Sequence, residues 1–357
     1  MVQPRVGGSG TCVAVFAVIM PPMKNQPFNA LDLDERFAQA QFMEVDADQS
    51  GQRIDNYLVA RLKGVPRTHV YKLLRKGEVR VNKGRIRADY RLQAGDVVRL
   101  PPLKVTKKAP PKQLSQGLGR VLESSIIYED DGLLVVNKPP GLAVHGGSGV
   151  DLGLIEALRQ LRPDARYLEL VHRLDRDTSG CIMVAKKRSY LRHLQQALRD
   201  KTAGHGGIVK VYQALALGAW PKRVSRVNAP LLKLEQSGGL AHIVKVSSEG
   251  KPSITDFSVL QRYQEYTLLE ARPVTGRTHQ IRVHAQFKQC PLLGDEKYGD
   301  DDANRLAVKL GLKRHFLHAS ALMFVLPGES AMTRVDAPLP TDLAGVLKLL
   351  ESHKLNG

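Results

Sequence analysis

The segment VHRLDRDTSG, residues 171–180, is the part of this chain that carries the most chemical information. Apolar runs flank it, from Tyr167 to Val171 and from Cys181 to Ala185, and this pattern predicts a strand, a tight loop and a second strand. Within the loop, Asp175 and Asp177 stand among basic side chains. A carboxylate beside arginines stays ionised, because the opposite charge favours its charged form. Such a loop suits a carboxylate nucleophile that faces a polyanionic substrate.

The composition indicates a nucleic-acid partner. The chain has 357 residues, 43% of them hydrophobic, which predicts about two domains with packed cores. Its formal net charge is +18 and its pI is near 9.9. The charge is uneven, because residues 52–108 carry 16 Lys and Arg against 4 Asp and Glu, a net charge of +12. A short segment that holds most of the excess is typical of an RNA-binding module.

Other features of the sequence exclude several classes of protein. The three cysteines are far apart, which favours a reducing cytoplasmic compartment and argues against a structural zinc site. No apolar run reaches transmembrane length, and no phosphate-binding glycine loop indicates nucleotide hydrolysis. The apolar N-terminus leaves the translation start open between Met1, Met20 and Met23.

The basic segment predicts two helices followed by a small β element. Helical spacing of apolar residues runs from Ile54 to Leu62 and again from about Thr68 to Lys76, with Gly77 placed to end the second helix. With Arg53-Ile54-Asp55 at its start and Gly95-Asp96 near its end, the segment resembles the S4 RNA-binding domain. The resemblance implies RNA contacts from one basic face, with Arg67, Lys72, Arg75, Lys76 and Arg80. A solvated basic face without a ligand is the alternative.

The loop itself resembles a known signature. His172-Arg173-Leu174-Asp175-x-x-Thr178-Ser179-Gly180 is similar to the motif of the RluA-type RNA pseudouridine synthases, in which the aspartate of Arg-Leu-Asp is the nucleophile. Three more blocks resemble the same family: Asn137 to Gly141, Lys210-Val211-Tyr212, and Thr275 to His284. The chain most resembles the C-type branch, which acts on the 23S RNA of the large ribosomal subunit. This closer resemblance rests on four segments: Arg61 to Pro66, His172 to Ala185, Gly250 to Ser253 and Pro273 to His284.

The resemblance implies a fold of the α+β class: a small S4 domain of two helices plus β structure, linked to a catalytic domain with a mixed, largely antiparallel sheet. We expect an N-terminal extension without order over residues 1–50, the S4 domain over 51–105, a Pro- and Lys-rich linker over 106–120 and the catalytic domain over 121–357. The segments 294–299 and 314–319 are interpreted mainly as scaffold, with Tyr298 as a residue behind the site.

The resemblance also implies the site and the reaction. Asp175 would be the nucleophile, Tyr212 would stack on the target base, and Arg282 would pair with Asp175. Arg173, Arg277 and His279 would contact RNA or the surrounding loops. The expected reaction is the isomerisation of uridine to pseudouridine in 23S ribosomal RNA, which needs no cofactor, no metal, no membrane and no obligate protein partner.

Several alternatives stay open. The chain could be a non-catalytic RNA-binding or ribosome-assembly factor, or a related synthase that acts on other large-subunit uridines or on transfer RNA. Asp175 and Asp177 could hold a divalent ion, although Arg173 and Arg176 argue against it. The sequence does not tell whether Asp175 attacks C1′ of the ribose or C6 of the base. The segment Thr202–Gly207 is also longer than is usual in the family.

Overall fold

The computed structural model describes residues 39–62, 65–103, 112–146, 152–200, 207–234 and 243–355. The chain divides into two compact units, one that ends at Ala109 and one that begins at Pro110. Both units combine helices with β-sheet, which confirms the predicted α+β class. No helix among the described residues is long and apolar enough to cross a membrane. The predictions for the translation start and for the segment Thr202–Gly207 lie largely outside the described residues.

The first unit packs two helices against a four-stranded antiparallel sheet. Its elements are β1 (Gln41–Glu44), α1 (Ile54–Arg61), α2 (Arg67–Lys76), β2 (Arg80–Val81), β3 (Gly84–Arg85) and β4 (Val97–Leu100). The strands lie in the order β1-β4-β2-β3. The two predicted helices are therefore confirmed. α2 buries Val70, Leu73 and Leu74 and exposes its basic side chains, as its apolar stripe predicts.

Gly77 ends α2 as the sequence predicts. Its backbone has φ 69°, in the left-handed region that glycine adopts without strain, and its N–H donates to the carbonyl oxygens of Leu73 and Leu74. A Cβ at this position would also crowd the side chain of Arg85. The left-handed backbone therefore favours glycine here, while the exposed Arg85 side chain could move aside.

The expectation of an unordered extension through residue 50 is wrong for its last part. β1 pairs antiparallel with β4, with Gln41 opposite Leu100, and Val45 is buried at 1% exposure. A short 3-10 helix, Ala47–Gln49, follows. β1 has only four residues and lies at the edge of a small sheet, so its alternation of half-buried and exposed residues is too short to predict a strand within an acidic segment. The first 38 residues lie outside the described part of the chain.

The second unit is built on a ten-stranded sheet surrounded by helices. Its elements are α3 (Gln116–Ser124), β5 (Ile126–Glu129), β6 (Leu133–Lys138), α4 (Leu154–Leu161), β7 (Glu169–Leu170), β8 (Ser179–Ala185), α5 (Arg188–Arg199), β9 (Val209–Leu217), β10 (Arg226–Asn228), β11 (Leu231–Leu234), β12 (Ile243–Val246), β13 (Ile254–Arg262), β14 (Tyr266–Pro273), α6 (Gln280–Phe287), α7 (Asp301–Lys309), β15 (Leu317–Val325), β16 (Met332–Asp336) and α8 (Thr341–Leu355). β11 and β12 form a separate hairpin.

The main sheet follows the path β10-β13-β14-β9-β15-β8-β6-β5, with β16 beside β15 and β7 beside β8. β15 and β8 pair in parallel, and the other pairings described for this sheet are antiparallel. The prediction of a mixed, largely antiparallel sheet is confirmed. Every residue of β8 is buried, which explains its uninterrupted apolar run.

The predicted linker is partly helical. α3 begins at Gln116, capped by the Ser115 side chain, which accepts a hydrogen bond from Leu118 N at 3.3 Å. Leu122 is fully buried, and Leu114 and Leu118 pack against the same core. These three leucines recur every four residues, a helical stripe that the surrounding proline- and lysine-rich composition hides. The linker prediction is therefore wrong from Ser115 onward.

Candidate active site

The loop between β7 and β8, residues 171–178, carries the acidic pair. β7 and β8 are antiparallel neighbours, with Leu170 opposite Val184, so the loop starts beside the far end of β8 and runs back to its first residue, Ser179. Inside the loop, Thr178 N donates to the carbonyl oxygen of Asp175 at 3.2 Å. The predicted arrangement of strand, loop and strand is confirmed, and it fixes the backbone from which Asp175 projects.

The segment 171–180 ends in a glycine because β15 passes very close to the backbone of Gly180. Gly180 lies opposite Ala319 in the parallel pairing of β8 with β15. Its φ is 107°, which L side chains rarely adopt, and a Cβ there would overlap the backbone of Ala319. The glycine of Thr-Ser-Gly therefore lets the sheet continue directly behind the loop.

Asp175 contacts two basic side chains of the segment that begins α6. Its side chain is 28% exposed, and its Oδ2 atom accepts a hydrogen bond from Arg282 Nη1 at 3.3 Å. The same Oδ2 atom is 3.9 Å from His279 Nε2. The structure thus brings together the aspartate and the arginine that the family resemblance pairs, across 107 residues of sequence.

Arg282 is held from behind by Asp295, which sequence reasoning assigns to scaffold. Arg282 Nε and Nη2 donate to the two carboxylate oxygens of Asp295 at 2.7 and 2.8 Å. Burial alone would raise the pKa of Asp295, but the hydrogen bonds and charge of Arg282 outweigh it and lower this pKa. Burial would likewise lower the pKa of Arg282, and its carboxylate partners raise it. Both groups are therefore charged near neutral pH.

Tyr212 and Asp175 line one cavity of about 710 Å³. Tyr212 lies in β9 at 8% exposure, between β14 and β15 in the sheet. Burial first, and then the nearby charge of Asp175, raise the pKa of its hydroxyl. The phenol is therefore neutral at physiological pH. Six of the residues predicted for the site line this cavity: Arg173, Asp175, Tyr212, Arg277, His279 and Arg282.

His279 shapes the cavity wall together with Tyr298. It stands before α6 with a left-handed backbone, φ 53°, and its Nδ1 atom is 2.7 Å from the Tyr298 hydroxyl. Burial lowers the pKa of His279 to about 4, although the charge of Asp175 acts in the opposite direction. The guanidinium of Arg282 lies 5.0 Å from the centre of the Tyr298 ring. Tyr298 thus lies behind the site and supports both basic residues.

Lys210 and Arg277 complete one side of the cavity. Lys210 precedes Tyr212 by two residues, so both side chains point to the same face of β9. Burial lowers the pKa of Lys210. Arg277 donates from Nε to the carbonyl oxygen of Pro252 at 3.2 Å, which is a loop contact of the kind expected.

Lys138 is a second residue of the site region that sequence reasoning missed. It ends β6 with no exposed surface, and its ammonium donates to the carbonyl oxygens of Pro139, Leu142 and Arg176 at 2.8, 2.9 and 2.8 Å. Burial lowers the pKa of Lys138 to about 7. The contact with Arg176 ties the Asn-Lys-Pro-Pro-Gly segment to the acidic loop. A lysine at the end of the apolar run Leu133–Val136 is the signal that could have revealed it.

Asp177 and Thr178 are anchored away from Asp175. Arg314 Nη1 donates to the carbonyl oxygen of Asp177 at 2.9 Å, and Thr178 Oγ1 is 2.9 Å from His315 Nε2. The Asp177 carboxylate pairs instead with its neighbour Arg176 at 3.2 Å. Within the described residues, no three His, Cys, Asp or Glu side chains come together as metal ligands do.

The other predicted RNA-contacting residues lie in the first unit. All of them are exposed there, four on α2 and one on β2: Arg67, Lys72, Arg75, Lys76 and Arg80. Arg80 also donates from Nε to the carbonyl oxygen of Gly77 at 3.4 Å. Their exposure leaves their charges available to a ligand.

The fold and the buried Arg–Asp pair are those of an α+β protein with an aspartate in a basic cavity. Comparison with known proteins identifies the family of this chain. The model of the family described as RNA pseudouridylate synthase matches residues 132–287, and the S4 domain model matches residues 52–98. The structure of human RNA pseudouridylate synthase domain containing 4 is similar, with a TM-score of 0.54 and 29% identity over 66% of this chain and 96% of that chain.

Bacterial relatives are more similar in sequence. The ribosomal large subunit pseudouridine synthase C of Pasteurella multocida is 54% identical over 316 residues, 87% of this chain and 94% of the relative. The protein of the same name from Vibrio cholerae is 51% identical over 318 residues, 88% and 98% of the two chains. The chain therefore belongs to the RNA pseudouridine synthase family and is an enzyme of that class with an S4 domain. The resemblance that the sequence motifs indicate is confirmed.

Proposed function

We propose that this enzyme isomerises particular uridines of the large-subunit, 23S ribosomal RNA to pseudouridine. The relatives from Pasteurella multocida and Vibrio cholerae are named as pseudouridine synthases of the large ribosomal subunit. At least 94% of the length of each aligns with this chain. The observation in the structure that carries the proposal is the pairing of Asp175 with Arg282 in the cavity that Tyr212 also lines. The remaining proposals assign a role to each of these groups.

Asp175 is the proposed nucleophile. The target uridine leaves its stack and enters the cavity. In one route the carboxylate bonds to C1′ while the C1′–N1 bond breaks and its electron pair stays on the base. In the other, the carboxylate adds to C6 of the base, the electron pair of the C5=C6 bond shifts towards O4, and the C1′–N1 bond then breaks with its electron pair on N1. In both routes the uracil turns, C5 bonds to C1′, the carboxylate leaves, and N1 gains a proton as C5 loses one. Atoms and electrons balance without any oxidant or reductant.

Arg282 is proposed to orient the Asp175 carboxylate. An arginine suits this role because its guanidinium stays protonated and donates in several directions at once. Here Nε and Nη2 are used by Asp295, which leaves Nη1 for Asp175. An ionised carboxylate would otherwise be repelled by the phosphates of the incoming RNA.

Tyr212 is proposed to stack on the extruded base. An aromatic ring holds an unpaired base without requiring particular hydrogen bonds. Its raised pKa supports this role, because a neutral phenol packs against a base without placing a second negative charge beside Asp175.

Two groups of basic residues are proposed to hold the RNA. Arg173, Arg277 and His279 line the cavity and would contact the target nucleotide or its neighbours. Arg67, Lys72, Arg75, Lys76 and Arg80 would contact phosphates from the S4 domain, proposed here as residues 51–105. The proposed catalytic domain includes α3, because its leucines pack against the core of the second unit. Phosphate contacts position the protein and do not read sequence.

Tritium release tests the proposal most directly. Large-subunit rRNA transcript labelled at uridine C5 loses tritium only when C5 loses its proton. Wild type should release tritium, Asp175→Asn should release none while it still binds the transcript, and Asp177→Asn should behave like wild type because its carboxylate pairs with Arg176. Release by Asp175→Asn would overturn the nucleophile assignment. Release from transfer RNA but not from this transcript would overturn the proposed substrate.

A further inference from the structure

The exposed face of α2 carries an aromatic side chain between two arginines. Arg67, Tyr71 and Arg75 follow one another every four residues, which places them in a row along one side of the helix. Arg67 and Arg75 are exposed, and Tyr71 is 39% exposed. An exposed tyrosine in the middle of a basic row is the pattern that single-stranded nucleic acid sites use, because bases stack on the ring while cations meet phosphates.

Tyr71 opens onto a cavity of about 500 Å³ in the first unit. The wall opposite α2 is the segment after β3, and the cavity is lined by Tyr71, Leu74, Arg75, Ile86, Arg87 and Ala88. Asp55 N donates to the carbonyl oxygen of Ala88 at 3.4 Å, which holds this wall against the start of α1. The volume of the cavity falls within the range of small-ligand sites, roughly 300–1,000 Å³.

The orientation of Tyr71 is fixed by a buried carboxylate. Its hydroxyl donates to Asp55 Oδ2 at 2.8 Å. The Asp55 side chain is only 4% exposed and also accepts from Arg53 Nη2 at 2.7 Å. The ring is therefore held in one place before any ligand arrives, which lowers the entropy cost of stacking a base on it.

We propose that this cavity binds one unpaired base of the RNA, stacked on Tyr71, with Arg75 and Arg87 in contact with the phosphates on either side. The proposal deepens the RNA-binding role proposed above for the S4 domain and rests on it. The lining supports a base in particular: one aromatic face, apolar walls from Leu74 and Ile86, and guanidinium groups at the rim. A fully paired duplex offers phosphates to the arginines but no free base to the ring.

Binding of the full-length protein to labelled RNA tests this inference. The probes are a fluorescein-labelled single-stranded RNA of mixed sequence and a duplex of the same length, measured by anisotropy over a series of salt concentrations. Tyr71→Ala should weaken single-strand binding roughly 5- to 150-fold, the range for one stacked base. It should leave duplex binding and the salt slope unchanged, since no phosphate contact is lost.

Two further variants separate the ring from its surroundings. Arg75→Ala should weaken binding of both probes and reduce the salt slope by about 1, the loss of one phosphate contact. Phe42→Ala is the matched control, because Phe42 is an aromatic of the same unit that is 67% exposed and does not line the cavity. The Phe42→Ala substitution should leave the affinity for both probes unchanged. Tyr71→Phe and Tyr71→Trp keep a ring but lose the hydrogen bond to Asp55, so they should weaken single-strand binding much less than Tyr71→Ala.

The outcomes are distinct. Equal losses on single strand and duplex for Tyr71→Ala, or no loss on either, would overturn the stacking proposal. A loss for Tyr71→Phe as large as that for Tyr71→Ala would also overturn it, since the hydroxyl and not the ring would then matter. If wild type prefers the single strand through Tyr71 but releases no tritium from large-subunit rRNA, the proposed substrate fails and the base-binding cavity stands.

Discussion

Asp295 accepts two hydrogen bonds from Arg282, of 2.7 and 2.8 Å, in the buried interior of the second unit. The Asp295 side chain has no exposed surface and that of Arg282 has 8%. Two parallel bonds fix the plane of the guanidinium as well as its position. Because Nη1 is the donor that remains, Asp295 determines where Arg282 meets Asp175.

Replacing Asp295 should therefore damage both stability and catalysis. In Asp295→Asn the buried guanidinium loses its counter-charge, and breaking such a pair costs about 3–5 kcal/mol of unfolding free energy. A shift of Arg282 by an ångström would misplace the Asp175 carboxylate, which can cost on the order of 100-fold in kcat. Urea unfolding and tritium release at saturating RNA measure the two effects.

The exposed pair of Arg226 with Asp256 is the control for Asp295→Asn. Its side chains are 61% and 36% exposed, so water screens their attraction. Asp256→Asn should change the unfolding free energy by less than about 1 kcal/mol and leave kcat unaltered. Comparable losses in the two variants would contradict a special role for the buried pair.

Lys138 should prove to be a positioning residue of the acidic loop. Lys138→Met keeps the length of the side chain but leaves three carbonyl oxygens, including that of Arg176, without their donor. Each buried acceptor left unpaired costs about 1–3 kcal/mol. We expect a lower unfolding free energy and a lower kcat, with KM for RNA little changed because Lys138 does not reach the surface.

Lys222→Met is the matched variant for Lys138, since Lys222 is exposed in the same unit. It should leave stability and kcat at wild-type values. A rise in KM with unchanged kcat for Lys138→Met would show that the lysine contacts RNA instead of holding the loop.

The sequence reveals those parts of the site that are local in the chain. The loop around Asp175 could be predicted because its residues are contiguous and largely apolar runs flank it. Arg282 is predicted only through the family resemblance, since nothing in the sequence indicates that two side chains 107 positions apart meet. Long-range pairing of this kind is set by the order of strands in the sheet, which the pattern of a single strand does not encode.

The residues that were missed are charged groups inside the fold. Asp295 and Lys138 lie in segments of mixed composition, where a charge ordinarily indicates an exposed surface. Their burial depends on partners that a local pattern does not reveal: Arg282 for Asp295, and for Lys138 two nearby backbone carbonyls together with that of Arg176. Similarly, the sequence does not predict β1 or the start of α3, because each is stabilised by packing and has no strong local pattern of apolar residues.

Buried histidines should make the second unit sensitive to mild acid. His318 Nε2 is 3.1 Å from the carbonyl oxygen of Ala337, which can only accept, and Nδ1 is 2.9 Å from Ser179 Oγ. The ring is thus neutral with its proton on Nε2. Burial lowers the pKa of His318, and that of His315, to about 4.

The sign of the effect follows from proton uptake. Between about pH 6.5 and pH 4 the unfolded chain binds protons on these histidines that the folded chain does not, so the unfolding free energy falls as the pH falls. Each histidine contributes up to about 1.4 kcal/mol per pH unit in that window. Urea unfolding at pH 7.5, 6 and 5 should show this loss, and His318→Gln should reduce its slope. An unchanged slope would argue that His318 is charged in the fold, whereas His69→Gln, at an exposed site, should have no effect.

Gly180 should tolerate no side chain, although other glycines with positive φ should. Gly218 has φ 74° with open space around its missing Cβ, so Gly218→Ala should cost only the left-handed backbone penalty of about 1–2 kcal/mol. Gly180→Ala adds an overlap with the Ala319 backbone, which must push β15 from β8 or displace the loop. We expect a distinctly larger loss of unfolding free energy together with a loss of kcat, because Asp175 lies on the displaced loop. Equal costs for the two variants would mean that β15 can move aside freely and that the close contact does not hold the acidic loop in place.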